Sequence, residues 1–156
     1  MTIESEIGDI LRKRKMTVAV AESCTGGLIS NRITNSSGSS EYFVMGIVAY
    51  SNKTKENILG LSPVLLKRYG AVSKQAALKM AEGVRFLAGS DIGLGVTGIA
   101  GPAGGTKKKP LGLVYIALTG DKRRTVKKFL FKGSRLDIKL QASSAGLALI
   151  KRCASS

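Results

Sequence analysis

The sequence predicts an α/β domain in which one mixed sheet is covered by helices on both faces. Short apolar segments rich in β-branched residues alternate with amphipathic helical segments. The last two strand-like segments follow one another across a tight turn, which makes the sheet mixed. No linker or fixed-period repeat divides the 156 residues, so residues 1–156 read as a single domain.

Ile3, Ile7, Ile10 and Leu11 recur at helical spacing, with acids in the first turn and Arg12 to Lys15 in the last, as the helix dipole favours. Met16 to Ala21 is apolar and β-branched enough for a buried strand. Thr25-Gly26-Gly27 then leads into a short helix, LISNRIT. Ser36 to Ser40 reads as a loop, Phe43 to Tyr50 as a second strand, and Asn52 to Leu59 as a helix stopping near Gly60. A short helix follows Pro63 to about Arg68. Ser73 caps a longer one with Ala76, Ala77, Met80, Ala81, Val84 and Leu87 on its apolar face. Asp91–Thr97, Leu113–Leu118 and Thr125–Phe131 are strands three to five, the last two joined as a hairpin through Gly120-Asp121. Ser134 opens the closing helix, whose stripe is Leu136, Leu140, Leu147 and Ile150.

Composition removes several classes of function. Without histidine there is no Ser/His/Asp or Cys/His triad, and no ordinary zinc site is expected. Cys24 and Cys153 stand at opposite ends of the chain with no framework spacing, which points to a reducing, cytoplasmic compartment. The N-terminal MTIESEIGDILRKRK carries acids before bases and has no long apolar core, unlike a signal peptide, and no stretch reaches the length of a membrane span, so no membrane partner is expected. The net charge is +15, and eleven bases lie between residues 107 and 139 against Asp121 and Asp137 alone. Such a stretch is either a solvated face or a contact for nucleic acid.

Three loops after strands concentrate small and polar residues, where open α/β sheets hold ligands. They are Ala21 to Gly27, Tyr50 to Lys55, and Thr97 to Thr106, the last too rich in glycine for one tight turn. Gly93 to Gly98 spells GxGxxG, but inside a strand and without a following helix, so a dinucleotide site is rejected. GxxxxGK[ST], GxSxG and SxxK are absent. A hydrolase built from this chain needs a serine activated by a neutral lysine, whose pKa must fall far below about 10.4. Lys55 is placed to be desolvated for that task, Tyr50 to relay or orient the proton, and Ser23 to attack. On the residues alone, Ser23 equally reads as a loop hydroxyl, Lys55 as a surface lysine and Tyr50 as packing.

Taken together, AESCTGG at 21–27, GSSEYF followed by VAYSNKTK at 38–55, YGAVS at 69–73 and TGIAGPAGGTKKKPLGLVYIAL at 97–118 resemble the CinA C-terminal domain family, which includes nicotinamide mononucleotide deamidases. The resemblance covers nearly the whole chain. It implies a three-layer α/β/α sandwich with a mixed, mostly parallel sheet that hydrolyses the carboxamide of nicotinamide mononucleotide to nicotinate mononucleotide and ammonia, with no cofactor and no metal. It makes Ser23, Tyr50 and Lys55 catalytic, and it puts Thr97 and Arg135, the latter in Phe131-Lys132-Gly133-Ser134-Arg135, at the substrate. The site is completed by the oxyanion-binding amides of Thr25, Gly26 and Gly27, and by Asn52, Gly98, Gly104 and Gly105. A second arginine that often follows four residues after the first is Lys139 here, which keeps the charge but not the bidentate fork. The larger N-terminal domain that some members tie to ADP-ribose hydrolysis has no counterpart in this sequence, so that activity is not expected. A homo-oligomer is expected, its order left open. Two other readings stand beside the enzyme: a basic nucleic-acid-binding module, and an inactive CinA-like partner protein.

Overall fold

The computed structural model describes all 156 residues. In chain order the elements are α1 (Ile3–Arg14), β1 (Val18–Glu22), α2 (Leu28–Thr34), β2 (Phe43–Val48), α3 (Asn52–Asn57), α4 (Pro63–Tyr69), α5 (Lys74–Ala88), β3 (Ile92–Gly98), β4 (Leu113–Gly120), β5 (Arg123–Leu130) and α6 (Arg135–Ser155). The sheet order is β2-β1-β3-β4-β5. A parallel core of β2, β1 and β3 is extended by antiparallel β4 and β5. Apolar side chains of α1, α2 and α6 form the larger core on one face of the sheet. Leu59, Leu61, Leu66, Met80 and Val84 fill a smaller core on the other, giving three layers. No helix is long and apolar enough to cross a membrane.

Local chemistry explains most element boundaries. Thr2 and Ser5 form a capping box on α1, and Ser134 with Asp137 forms another on α6. Ser51, Ser62 and Ser73 each accept a backbone amide at the start of α3, α4 and α5. The glycines of the GxGxxG string have a packing role. A Cβ at Gly93 or Gly95 would overlap the Ala81 or Ala77 carbonyl of α5, so their bareness lets α5 lie directly on β3.

Several expected boundaries move. β1 starts two residues later than expected, at Val18, and runs one residue further into the first loop, to Glu22, because its ladder with β3 continues that far. The β4–β5 turn is Asp121-Lys122, with Gly120 paired to Arg123 inside the ladder. Leu87 is exposed, and the α5 stripe ends on Ala88 instead. Leu136 and Leu140 also leave the buried stripe of α6, which is carried by Ile138, Ala142, Leu147 and Ile150. The first turns of this 21-residue helix run on towards the end of the sheet where the sequence motifs gather.

Candidate active site

The first loop is organised by a residue to which the sequence reading gave no role. β1 ends on Glu22, fully buried, whose carboxylate accepts the Ile29 amide at 2.9 Å, the Ser30 amide at 3.0 Å and the Ser30 hydroxyl at 2.7 Å. The start of α2 is thereby capped by a carboxylate of the chain itself. Gly26 and Gly27 take φ of 60° and 97°, which glycine adopts without strain. The chain turns there tightly enough to leave Ser23 at the end of the sheet.

Parallel pairing of β2 with β1 sets the second loop beside the first. α3 follows at once and carries Lys55 inward, where only 2% of it is exposed. Its Nζ donates to Ser23 Oγ at 3.0 Å, to the Ala49 carbonyl at 2.9 Å and to the Tyr50 carbonyl at 3.4 Å. Burial holds the ammonium pKa below the usual lysine value. Once neutral, the amine has two hydrogens for the two carbonyls and a lone pair left for the Ser23 hydroxyl. The Cys24 thiol is pushed up to about 11, chiefly by burial, and stays protonated at neutral pH.

The third loop closes the far side. Thr97 is buried, and its hydroxyl donates to the Ala71 carbonyl at 2.7 Å, tying the segment before α5 to the end of β3. Arg135, in the first turn of α6, spans the mouth: one guanidinium nitrogen donates to the Gly101 carbonyl at 2.6 Å and the other to the Tyr50 hydroxyl at 2.7 Å. The enclosed cleft is about 280 Å³ and includes Ser23, Lys55, Thr97 and Arg135 in its lining. No aspartate or glutamate lines it. A larger hollow of about 450 Å³ lies at the opposite end of the sheet, around Arg85, Ser90 and Thr119. There the Ser90 hydroxyl is spent on the Ile92 carbonyl and the Glu82 carboxylate on Lys79 and Arg124, so the smaller cleft is the candidate chemical site.

Not every expected residue lies where the sequence reading put it. Asn52, Gly98 and Gly104 line the cleft. Gly105 does not, its bare Cα facing the Leu111 backbone, and neither do Thr25, Gly26 and Gly27, which lie behind Ser23 and Cys24 in the turn before α2. Gly26 spends its amide on the Ser23 carbonyl at 3.1 Å, which leaves the Cys24, Thr25 and Gly27 amides without partners in the chain. Thr25 is fully buried with its hydroxyl unpartnered. Tyr50 is 59% exposed, and its hydroxyl meets Arg135 and not Lys55. Lys139, four residues beyond Arg135, places its ammonium over Gly26 and does not line the cleft. Ala71 and Val72 of the YGAVS motif and Ile99 and Ala100 of the third loop also line the cleft, though none was assigned a role, since their contributions are apolar or from backbone.

A buried serine–lysine pair at the end of a mixed sheet, in a three-layer α/β/α domain, defines the class. The chain belongs to the CinA family, matching the CinA C-terminal domain over residues 1–154. It is 48% identical over 152 residues to a CinA-like protein of Syntrophus aciditrophicus, covering 97% of this chain and 36% of that protein. The chain thus spans about a third of the length of the curated relatives it matches. Solved structures cover the chain almost fully. The competence/damage inducible protein CihA from Agrobacterium tumefaciens superposes with a TM-score of 0.89 at 34% identity, over 99% of this chain and 96% of that one. Competence damage-inducible protein A from Klebsiella pneumoniae gives 0.93 at 29%, over 96% and 93%.

Proposed function

We propose that the protein hydrolyses the carboxamide of nicotinamide mononucleotide, giving nicotinate mononucleotide and ammonia. The observation that carries this reading is the buried Lys55 Nζ 3.0 Å from Ser23 Oγ. It is the one arrangement in the cleft that can make an oxygen nucleophile without histidine. Ser23 Oγ attacks the amide carbon while its proton passes to neutral Lys55. The unpartnered amide of Cys24, which lines the cleft, is the donor available to the oxyanion. The tetrahedral adduct collapses as the Lys55 ammonium protonates the leaving nitrogen, and ammonia departs from an acyl-serine. Water, deprotonated by Lys55, then cleaves the ester, restoring Ser23 and releasing the carboxylate.

The cleft's size supports a nucleotide bound with its ring inside and its phosphate out. At about 280 Å³ it is at the small end of ligand sites. Arg135 stands exposed at the mouth, where a phosphate tethered to the ring would reach it. The assay is ammonia release by the purified chain from nicotinamide mononucleotide and from free nicotinamide, with and without chelator. Turnover of the nucleotide alone, unchanged by chelator, is expected. Turnover lost on chelation would overturn the cofactor-free mechanism, and no ammonia from the nucleotide would overturn the assignment.

A further inference from the structure

The structure breaks the basic 107–139 stretch into separate places. Lys107 to Lys109 belong to the loop beside the cleft, Arg135 stands at its mouth and Lys139 lies over Gly26. Arg123 to Lys128 lie on β5, the edge strand. α6 covers β3 and β4 on its face of the sheet, so β5 projects beyond it and a groove runs between the two. Two adjoining hollows of about 500 and 200 Å³ make up this groove, and they share Lys127, Leu149 and Arg152.

Its floor is apolar, with Phe129, Ala145 and Leu149, and its rims carry Arg123 and Lys127 from β5 and Arg152 from α6. No carboxylate lines either hollow. None of these three cations forms an ion pair, although Arg123 reaches the Cys153 carbonyl at 3.4 Å. Phe129 is stacked on Phe131 with ring centroids 5.0 Å apart. Charges on an edge strand discourage pairing with another chain, which accounts for Arg124 and Lys128. That role accounts neither for Arg152, which a helix supplies, nor for an aromatic floor beneath unmatched cations.

We propose that the groove between β5 and α6 binds single-stranded nucleic acid, independently of the chemistry in the cleft. A duplex presents phosphates outward and gains nothing from an apolar floor. A single strand lays bases on such a floor and phosphates along a cationic rim. An acidic extended peptide matches the charge but has no use for the phenylalanine.

The test is fluorescence anisotropy with the full chain and three probes: a labelled 20-mer of deoxythymidylate, a 20-bp duplex and a 20-residue polyglutamate. The single strand should bind tightest. Three phosphate contacts predict a salt slope of about −2, roughly a 20-fold loss between 50 and 200 mM salt. The pair Lys127→Glu with Arg152→Glu should weaken it at least tenfold. An equal charge change on another surface, Lys67→Glu with Lys74→Glu, should cost less than about threefold, since it alters only the long-range field. Melting curves check folding, and Lys127→Gln with Arg152→Gln gives the same order of loss in smaller steps if the reversal unfolds. Equal losses in both pairs, or duplex or polyglutamate bound as tightly as the single strand, would overturn the proposal.

Discussion

Arg135 donates to the Tyr50 hydroxyl at 2.7 Å across 85 positions of sequence, joining the start of α6 to the loop just before α3, the helix that carries Lys55. The same guanidinium holds the Gly101 carbonyl at 2.6 Å, so one side chain links two of the three site loops. What Tyr50 presents to Lys55 is its backbone carbonyl, while its ring and hydroxyl set the orientation of Arg135.

Arg135→Ala should therefore raise KM for nicotinamide mononucleotide by roughly 10- to 100-fold and leave kcat within a few-fold. A charge-assisted phosphate contact of about 1.5–3 kcal/mol, made equally in ground and transition states, is uniform binding. Tyr50→Phe should act in the same direction but less strongly, and the double variant should be little worse than Arg135→Ala. Steady-state kinetics on the three variants checks this. A Tyr50→Phe enzyme that loses kcat with KM intact would instead make the hydroxyl a proton carrier.

The pH profile follows from the burial of Lys55. Its pKa lies below the usual lysine value because the charged form is desolvated, and only the neutral form can take the Ser23 proton. kcat/KM should rise with pH through that lowered pKa and then level off, with one proton lost. A limb that falls as pH rises over the same range would exclude Lys55 as the base.

The same burial makes Lys55 costly to stability. The unfolded chain binds the proton more tightly than the folded one, so the cost is full below the folded pKa and fades as pH rises towards the unfolded value near 10.4. Lys55→Met should be inactive and yet melt higher at neutral pH, by roughly 2–4 °C if about 1 kcal/mol is gained. The gain should shrink at pH 10. Calorimetry at the two pH values measures both.

Cys24 sits next to Ser23 but should be inert. Its thiol is buried with a pKa pushed up to about 11, whereas Cys153 is only half-buried. Iodoacetamide at pH 8 should add one label per native chain, at Cys153, without loss of turnover. Two labels should appear after unfolding. Mass spectrometry of the native digest reads this directly.

The layers of the fold were legible because their signals are local. LISNRIT is bounded as expected by Gly27 and Thr34, and Ser73 and Ser134 cap helices as their positions suggested. Strand ends were less legible, because the ladder with a distant strand decides them, as at Glu22 and Gly120. Ser23 and Lys55 were legible as residue types, but 32 positions separate them, and only the parallel pairing of β1 with β2 sets them 3.0 Å apart. Glu22 was hidden for a different reason. A carboxylate that caps a helix from inside the core carries no sequence mark beyond an acid at the end of an apolar strand. Leu136 and Leu140 keep helical spacing yet are exposed while Ile138 and Ala142 are buried, and periodicity does not report which of two such stripes meets the core.

The most direct test of the account is ammonia release by four variants, each shown to be folded. Ser23→Ala and Lys55→Ala should each lower kcat by at least about 1,000-fold, and their combination should be hardly worse, because the two act as one unit. Lys55→Arg should be as inactive as Lys55→Ala, since a guanidinium does not give up its proton at accessible pH. Substantial turnover by Lys55→Arg would show that the position supplies only positive charge, and the serine–lysine mechanism would be wrong.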